Sequence, residues 1–529
     1  MGTQYGNPIF GNVFEEFPKV DTAYGSVRGF SRGGIGIFKG IPYAGNCDGA
    51  NRFLPPTDPE PWSGELDCTV NRAYAMQNGQ SIGGDSGVFA AYYKGKDAAS
   101  TGELEIQGEN CLYLDVLTPG LDEKKRPVIF YIHGGGFNTG SGTMVAAADT
   151  WCREENIVVV GVNHRLNMFG YLYLGAYSEK YAQSGSVGML DLVKALEWVR
   201  DNIAAFGGDP NNVTLMGESG GGMKIGILQI MEKAKGLYQK AIVESGSGRI
   251  GRNMLAKAAK VTETILANLG LTPDNWEMLL TMPANRLLEG IQTVSPRDLE
   301  PVSDGINIPD LSDSDYEFGN AMYSSDIPMI IGASEDESGI GPHGEEMTWE
   351  EVAQKLAEDG LRGPFHQMNI SLDQAKRLVE LFRSVNEKHD SPYYTWVKIN
   401  SLFGVLTGGA YPHVLERVTK KEFTAPVYHY MNAYDSAKPE DVRYSCAFHT
   451  CDLPLQMRIV MRDQDDWISR IFAHAWAAFA RSGNPSTADY PWPAFNLSDR
   501  QTMIFDNNGR TRVQCDPYRM LVHAFQELE

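Results

Sequence analysis

The segment at residues 217–221 has the sequence Gly-Glu-Ser-Gly-Gly and places a serine between glycines. Residues 213–216 before it predict a buried strand. Apolar residues recur at helical spacing after it, at Met223, Ile227, Leu228 and Met231. A strand that turns sharply into a helix projects the serine hydroxyl above the sheet and puts the following N–H at a helix N-terminus. Ser219 is therefore the candidate nucleophile.

A second glycine-rich segment follows a near-continuous apolar run at residues 127–132, which is typical of a central parallel strand. Residues 133–137 have the sequence His-Gly-Gly-Gly-Phe. Consecutive glycine N–H groups can point at one oxygen and, with the N–H after a nucleophile, would form an oxyanion hole. Because the chain contains both halves of one acyl-transfer site, we interpret this segment as part of a catalytic site and not as a flexible surface loop.

An acyl-transfer triad of this type needs an acid and then a histidine, in that chain order after the serine. The predicted strand at residues 328–331 leads into an acidic loop at residues 332–339. Three consecutive acids at the end of a strand are candidates for the triad acid. The residue chemistry alone does not choose among Glu335, Asp336 and Glu337.

The candidate base is one of the histidines that follow this acidic loop. His474 falls within a predicted helix at residues 471–480, and His429 interrupts a predicted strand, so both favour structural roles. His449 lies in a loop just after that strand. Catalytic groups of open α/β sheets collect in loops at strand ends, so His449 is the favoured base.

Further motifs occur along nearly the whole chain, at residues 24–29, 38–44, 109–114, 162–166, 204–214, 479–485 and 492–493. With the two glycine-rich segments, they make the chain resemble the type-B carboxylesterase/lipase family. This α/β-hydrolase branch includes bacterial para-nitrobenzyl esterases, animal carboxylesterases and cholinesterases. The resemblance implies an α/β fold with a central, mostly parallel sheet flanked by helices. It implies one domain over residues 1–529, with a helical insertion at 338–400 covering the active site.

The resemblance also implies which residues carry the chemistry. The family's acid loop, Gly-x-Asn-x-Asp-Glu-Gly, maps the triad acid onto Glu337. Its histidine motif, His-x-x-Asp/Glu-Leu-Pro, maps the base onto His449. Its oxyanion donors map onto the N–H groups of Gly135, Gly136 and Gly220.

The chain departs from the family pattern at three positions, and the roles of two further residues near the site stay open. Gly220 replaces the usual alanine and keeps the N–H. Ser334 and Ser338 replace asparagine and glycine, which affects the shape of the acid loop but not the identity of the acid. Glu218 either contributes negative potential near the imidazolium or holds a neighbouring loop. Ser245 either caps a strand end or contacts a triad residue without contacting the substrate.

The implied activity is hydrolysis of short to medium acyl esters through an acyl-enzyme, with no cofactor and no metal. Because His449 must be neutral to act as base, activity is expected to rise through an apparent pKa near 6 to 7. Lipase, thioesterase or amidase activity on the same site is an alternative, and so is a non-catalytic binding protein like the neuroligin branch. Choline esters are expected to be poor substrates, because residues 77–110 contain Phe89, Tyr92 and Tyr93 but no tryptophan for a quaternary ammonium group.

Composition and charge limit the classes of partner that this chain is expected to bind. The chain has 529 residues and a formal net charge of −21, which disfavours nucleic acid and anionic membranes as partners. No apolar run approaches the length of a membrane span. The expected partner is a small-molecule ester, and the oligomeric state, monomer or small homo-oligomer, stays open.

The first residues and the cysteines favour an intracellular protein. Residues 1–6 lack the charged start and apolar core of a signal peptide. The alternative is a secreted protein whose signal has been removed. Seven cysteines do not form a disulfide framework, although Cys446 and Cys451, which flank His449, are a possible pair.

Overall fold

The structure is a computed structural model. It describes residues 16–78, 106–247, 254–310, 323–339, 347–363, 366–385, 390–436, 446–460, 462–507 and 509–528. Residues 1–6 and the aromatic residues Phe89, Tyr92 and Tyr93 lie outside the described residues, so the predictions made on them stay predictions.

The described strands and helices alternate along most of the chain. The strands are β1 Lys19–Thr22, β2 Gly25–Arg28, β3 Phe30–Arg32, β4 Ile35–Pro42, β5 Glu65–Asp67, β6 Tyr74–Ala75, β7 Gln107–Gly108, β8 Tyr113–Thr118, β9 Arg126–Ile132, β10 Val158–Val162, β11 Gly208–Glu218, β12 Lys240–Glu244, β13 Met329–Ser334, β14 Leu361–Arg362, β15 Gln367–Met368, β16 Val427–Asn432, β17 Gln501–Phe505 and β18 Arg512–Cys515. The α-helices are α1 Asp149–Glu155, α2 Asn167–Tyr171, α3 Val187–Asn202, α4 Gly220–Leu228, α5 Leu255–Asn268, α6 Ala284–Gly290, α7 Trp349–Asp359, α8 Leu372–Val385, α9 Pro392–Phe403, α10 Ala410–Thr419, α11 Leu453–Gln456, α12 Asp466–Ser482 and α13 Arg519–Gln526.

The chain forms two compact parts, each built from several segments. The first part comprises Met1–Leu215, Met231–Tyr238 and Gly251–Asp313. The second part comprises Met216–Ile230, Gln239–Ile250 and Ser314–Glu529.

In the first part, strands β9, β10, β8, β4 and β3 are neighbours in that order. Strands β9 and β10 pair in parallel, whereas β8 pairs antiparallel with both β10 and β4. Every residue of β9 and of β10 is buried. Strand β9 is the strand predicted at residues 127–132, and its continuous apolar sequence fits a strand covered on both faces.

A buried ion pair ties helix α3 to the segment that precedes α2. The Nε and terminal nitrogens of Arg165 donate to the Asp191 carboxylate at 2.8 and 2.6 Å. The Arg165 backbone N–H donates to the same carboxylate at 3.0 Å, and the guanidinium also donates to the Leu54 carbonyl. Both side chains are almost fully buried. These hydrogen bonds compensate the cost of removing the two charges from water.

In the second part, strands β12, β13, β16 and β17 are parallel neighbours, and β18 pairs antiparallel with β17. Strands β13 and β16 are the strands predicted from residues 328–331 and 426–431. Because parallel strands end at the same edge of a sheet, the segments after β12, β13 and β16 emerge together. This arrangement collects Ser245, the acidic loop and the loop of His449.

Helices α7 and α8 and most of α9 fall within the predicted insertion at residues 338–400, and α9 continues to Phe403. Helix α7 begins at a capping box, in which Thr348 and Glu351 exchange side-chain to backbone hydrogen bonds. Helix α8 buries an apolar stripe at helical spacing: Ala375, Leu378, Val379 and Phe382. That this insertion covers an active site stays a prediction. No helix in the described ranges has the length and apolar content needed to cross a bilayer.

Replacing Asp191 with asparagine should lower the free energy of unfolding by about 3–5 kcal/mol, because it leaves the Arg165 guanidinium buried without its counter-charge. The control is Asp201→Asn at the end of the same helix, where a half-exposed pair with Arg200 should cost less than about 1 kcal/mol. Urea denaturation at pH 7 measures both. Equal losses of unfolding free energy in the two variants would show that the buried ion pair does not stabilise the fold more than the exposed one.

Candidate active site

Ser219 lies between strand β11 and helix α4 in a sharp, strained turn. Its φ of 53° and ψ of −120° are rare for a residue with a side chain. A Cβ on Gly217, Gly222 or Gly246 would come within 3.0 Å of backbone atoms. Only glycine therefore fits around the turn. The predicted strand–turn–helix is present, but Met231 lies beyond the helix, which ends at Leu228.

The three residues predicted as a triad lie in the second part and form one hydrogen-bonded chain. His449 Nε2 lies 3.0 Å from Ser219 Oγ. His449 Nδ1 lies 2.5 Å from Glu337 Oε2. The serine, the imidazole and the carboxylate thus stand in the order that a general base needs to remove the hydroxyl proton.

The structure distinguishes the three acids that the residue chemistry left open. Glu335 accepts hydrogen bonds from Tyr518 Oη at 2.5 Å and from Lys398 Nζ at 2.6 Å. Asp336 accepts from the Tyr394 hydroxyl with both carboxylate oxygens, at 3.0 and 3.1 Å. Among these three neighbours, Glu337 is the one that contacts His449.

The Glu337 carboxylate is held by two further donors. The Ser245 hydroxyl donates to Glu337 Oε1 at 2.5 Å, and the Ser334 N–H donates to the same oxygen at 2.8 Å. Ser245 therefore contacts the candidate acid, and serine at position 334 closes the loop through its backbone. These bonds fix the carboxylate plane against the imidazole.

Sequence reasoning missed Lys398, which lies on helix α9. Its buried ammonium pairs with Glu335 at 2.6 Å and with Asp336 at 3.0 Å. Ser401, one turn further along, accepts a hydrogen bond from the Ser338 N–H at 2.9 Å. Helix α9 thus holds the acidic loop at two points. The sequence signal was the single charged residue in helix α9, Pro392–Phe403.

Glu218 lies beside the imidazole, with Oε1 3.4 Å from His449 Nε2. Burial raises its pKa to about 8, because a carboxylate loses hydration there; the charge of His449 opposes this rise, and Glu337 and Asp452 add to it. Of its two proposed roles, the contact favours an electrostatic one.

Burial lowers the pKa of His449, but the charges of Glu218 and Glu337 outweigh that effect and raise the pKa to about 10. This raised pKa lies above the apparent pKa near 6 to 7 that we expected from the sequence. The physical reason is the second carboxyl group: Glu218 approaches Nε2 while Glu337 binds Nδ1.

The other histidines considered as bases lie elsewhere. His429 is fully buried in β16, and its Nδ1 lies 3.0 Å from Thr502 Oγ1. His474 lies on an exposed position of α12. Neither contacts Ser219 in the structure. Cys446 and Cys451 are both buried and are not joined by a disulfide bond.

Two of the three predicted oxyanion residues, Gly135 and Gly136, lie in the first part of the chain, and Gly220 lies in the second. After β9, Gly135 and Gly136 adopt positive φ values of 82° and 62°. A Cβ on Gly135 would approach the Thr139 carbonyl oxygen to 2.4 Å, so glycine is required there. Gly220 is the first residue of helix α4, where an N–H has no partner within the helix. In the described ranges, no group of three or more His, Cys, Asp or Glu side chains forms a metal site.

Comparisons with known proteins agree over nearly the full length. The profile of the Carboxylesterase family matches residues 16–521. Para-nitrobenzyl esterase of Bacillus subtilis is 31% identical over 94% of this chain and 96% of its own length. Neuroligin-2 of Homo sapiens is 26% identical and covers 97% of this chain and 67% of its own length. An esterase from Clostridium hathewayi, described as able to hydrolyse aliphatic aromatic polyesters, has a TM-score of 0.76 at 28% identity, covering 98% of this chain and 99% of that one. This likeness shows the predicted α/β-hydrolase fold.

Activity should rise with pH, with a midpoint above 6.5, because His449 must be neutral to accept a proton and nearby carboxylates raise its pKa. Replacing Glu218 with glutamine removes one of them and should move the midpoint of kcat/KM to lower pH. Glu350→Gln, on the exposed face of α7, is the matched control and should leave the midpoint in place. A midpoint that stays fixed in Glu218→Gln would show that Glu218 does not act on the imidazole.

Proposed function

Because this chain belongs to the carboxylesterase family and is a carboxylic ester hydrolase, we propose that Ser219, His449 and Glu337 are its catalytic triad. The observation that carries the proposal is the hydrogen-bonded chain from Ser219 Oγ through both nitrogens of His449 to the Glu337 carboxylate. The strained backbone of Ser219 supports the same assignment, since such strain concentrates at functional turns.

Acylation begins when His449 Nε2 takes the proton of Ser219 as the oxygen attacks the ester carbonyl carbon. The imidazolium that forms is stabilised by the Glu337 carboxylate, which also fixes the tautomer with the proton on Nδ1. His449 then gives its proton to the departing alcohol. A water molecule repeats the sequence on the acyl-enzyme and releases the carboxylic acid.

The developing oxyanion needs donors, and we assign them to the N–H groups of Gly135, Gly136 and Gly220. Support comes from each segment by itself: two glycines with positive φ after β9, and a first helical residue in α4 whose N–H has no partner within the helix. Removing one such donor typically lowers kcat by a factor of about 10²–10³.

Two positioning roles complete the site. Ser245 anchors the Glu337 carboxylate through a 2.5 Å hydrogen bond and so keeps it in the imidazole plane. Glu218 acts on the charge of the imidazolium from 3.4 Å. Helices α7–α9 form a cover whose attachment to the acidic loop is supported by the Ser338–Ser401 hydrogen bond.

The substrates we propose are short to medium acyl esters with aryl or alkyl alcohols. The names of the relatives fit this class, since one is a para-nitrobenzyl esterase and another acts on aliphatic aromatic polyesters. Thioester and amide cleavage use the same groups and differ in the leaving group, so they are the alternative activities for the same site.

Replacing Ser219 with alanine should lower kcat for a para-nitrophenyl butyrate assay by at least about a thousandfold, because triad residues act as a unit. The thermal unfolding temperature should not fall. Ser384→Ala, on the exposed face of α8, is the control and should keep full activity.

Retention of more than about a tenth of the rate would remove Ser219 from the nucleophile role. Absence of turnover by the folded wild-type protein would instead favour a binding function of the neuroligin kind.

A butyryl aryl ester should have a higher kcat/KM than butyrylcholine, because no tryptophan occurs at residues 77–110 to hold a quaternary ammonium group. An emulsified long-chain triglyceride should also be poor, because residues 77–108 contain no strongly apolar stretch. Steady-state kinetics with the three substrates measures the order. Butyrylcholine as the best of the three would refute this substrate class.

A further inference from the structure

A cavity of about 450 Å³ lies in the second part of the chain, among helices α8, α9 and α13 and strands β17 and β18. Its volume falls in the range of small-ligand sites, about 300–1,000 Å³. Neither Ser219 nor His449 lines it. The ester hydrolysis proposed above therefore gives this cavity no role.

The cavity has apolar walls and an apolar opening. Phe382, Leu402 and Leu521 form buried walls. Val385 and Met520 line the same cavity but are 37% and 55% exposed. These two side chains leave apolar surface at the opening of the cavity. A ligand of this cavity would have an apolar body.

Two arginines line the same cavity, in a chain whose acidic residues outnumber its basic ones by 67 to 46. The side chains of Arg510 and Arg512 are 52% and 46% exposed, and both face one carboxylate, that of Asp506. The nitrogen-to-oxygen distances are long, 3.3 and 3.7 Å. Two guanidinium groups that share one carboxylate leave an excess positive charge, which favours an anionic ligand.

The acidic side chain at the other end of the cavity is already neutralised. Glu335 accepts hydrogen bonds from Tyr518 at 2.5 Å and from the Lys398 ammonium at 2.6 Å. Its two carboxylate oxygens therefore have strong donors, and the site offers no free carboxylate to a cationic ligand there. At the exposed side of the cavity, the charges that a ligand meets are those of Arg510, Arg512 and Asp506, which sum to one positive charge.

We propose that this cavity is a second binding site, separate from Ser219, for an amphipathic carboxylate. Its alkyl or aryl body packs against Phe382, Leu402 and Leu521. Its carboxylate binds the guanidinium groups of Arg510 and Arg512 through charge-assisted hydrogen bonds, although Arg512 also donates to the Arg510 carbonyl at 2.6 Å. Both groups are at the solvent-exposed side, so the charge of the ligand stays partly hydrated.

Isothermal titration calorimetry with sodium octanoate tests the site, on Ser219→Ala protein so that the measurement does not depend on ester hydrolysis. We expect saturable binding that weakens at least tenfold in the Arg510→Gln/Arg512→Gln double variant. Met520→Glu, which adds a negative charge at the exposed opening, should weaken it likewise. Arg470→Gln, an exposed arginine on α12 that pairs with Asp466, is the control and should bind as the parent does.

The uncharged analogue 1-octanol separates the two parts of the proposal. It should bind at least tenfold more weakly than octanoate to the parent protein, and its binding should not change in the arginine variant. Three results would overturn the proposal: no saturable octanoate binding, octanoate binding that neither variant changes, or octanol binding as tight as octanoate. Loss of ester turnover in Ser219→Ala bears on the catalytic assignment alone.

Discussion

The backbone conformation of Ser219 is the constraint from which the geometry of the site follows. A residue with a side chain at φ 53° and ψ −120° carries strain of the order of 1–3 kcal/mol, which the surrounding structure must offset. The Ser219 N–H donates to the Glu244 carbonyl at 2.8 Å, at the end of β12. A Cβ on Gly246 would lie 2.1 Å from the Ser219 carbonyl oxygen. The turn is thus held between β12 and α4, and the backbone of Ser219 cannot shift without disturbing their packing.

Buried carboxyl groups around His449 set the electrostatics of the site. Glu244 is fully buried, and burial raises its pKa well above the ordinary value while Trp476 donates to it at 2.5 Å. Burial raises the pKa of Asp452 to about 6, and Tyr430 donates to it at 3.1 Å. Protonation removes most of the cost of burying such groups. Because their charge depends on pH, the field at the imidazole does too, and its titration belongs to the cluster rather than to one residue.

Much of the site is predictable from sequence because its parts are local. The turn at Ser219 and the glycines at 135 and 136 are short motifs whose backbone needs can be recognised without tertiary structure. The choice among the three acids is different. It depends on partners such as Lys398 and Tyr518, which are distant in sequence, so local chemistry left it open and only the family resemblance favoured Glu337. The raised pKa of His449 was missed for the same reason, since it requires knowing that Glu218 faces the ring.

Asp336, the neighbour of Glu337, helps to set the distance between Glu337 and His449. Asp336 is fully buried, and its N–H donates to the Ala447 carbonyl at 3.0 Å. The Ala447 N–H donates back to the Asp336 carboxylate, also at 3.0 Å. Asp336 therefore fastens the acidic loop to the histidine loop, one residue before Glu337 and two residues before His449.

Lys398 allows this arrangement to stay buried, because its ammonium lies 3.0 Å from Asp336 and 2.6 Å from Glu335. Removing the lysine would leave two adjacent carboxylates uncompensated beside a third, and like charges at that spacing repel. Each of the three acids thus has one partner set: Glu335 joins the loop to α13, Asp336 joins it to the histidine loop, and Glu337 is left to face the imidazole. The contacts of Glu335 and Asp336 thus position the loop that places Glu337 2.5 Å from His449.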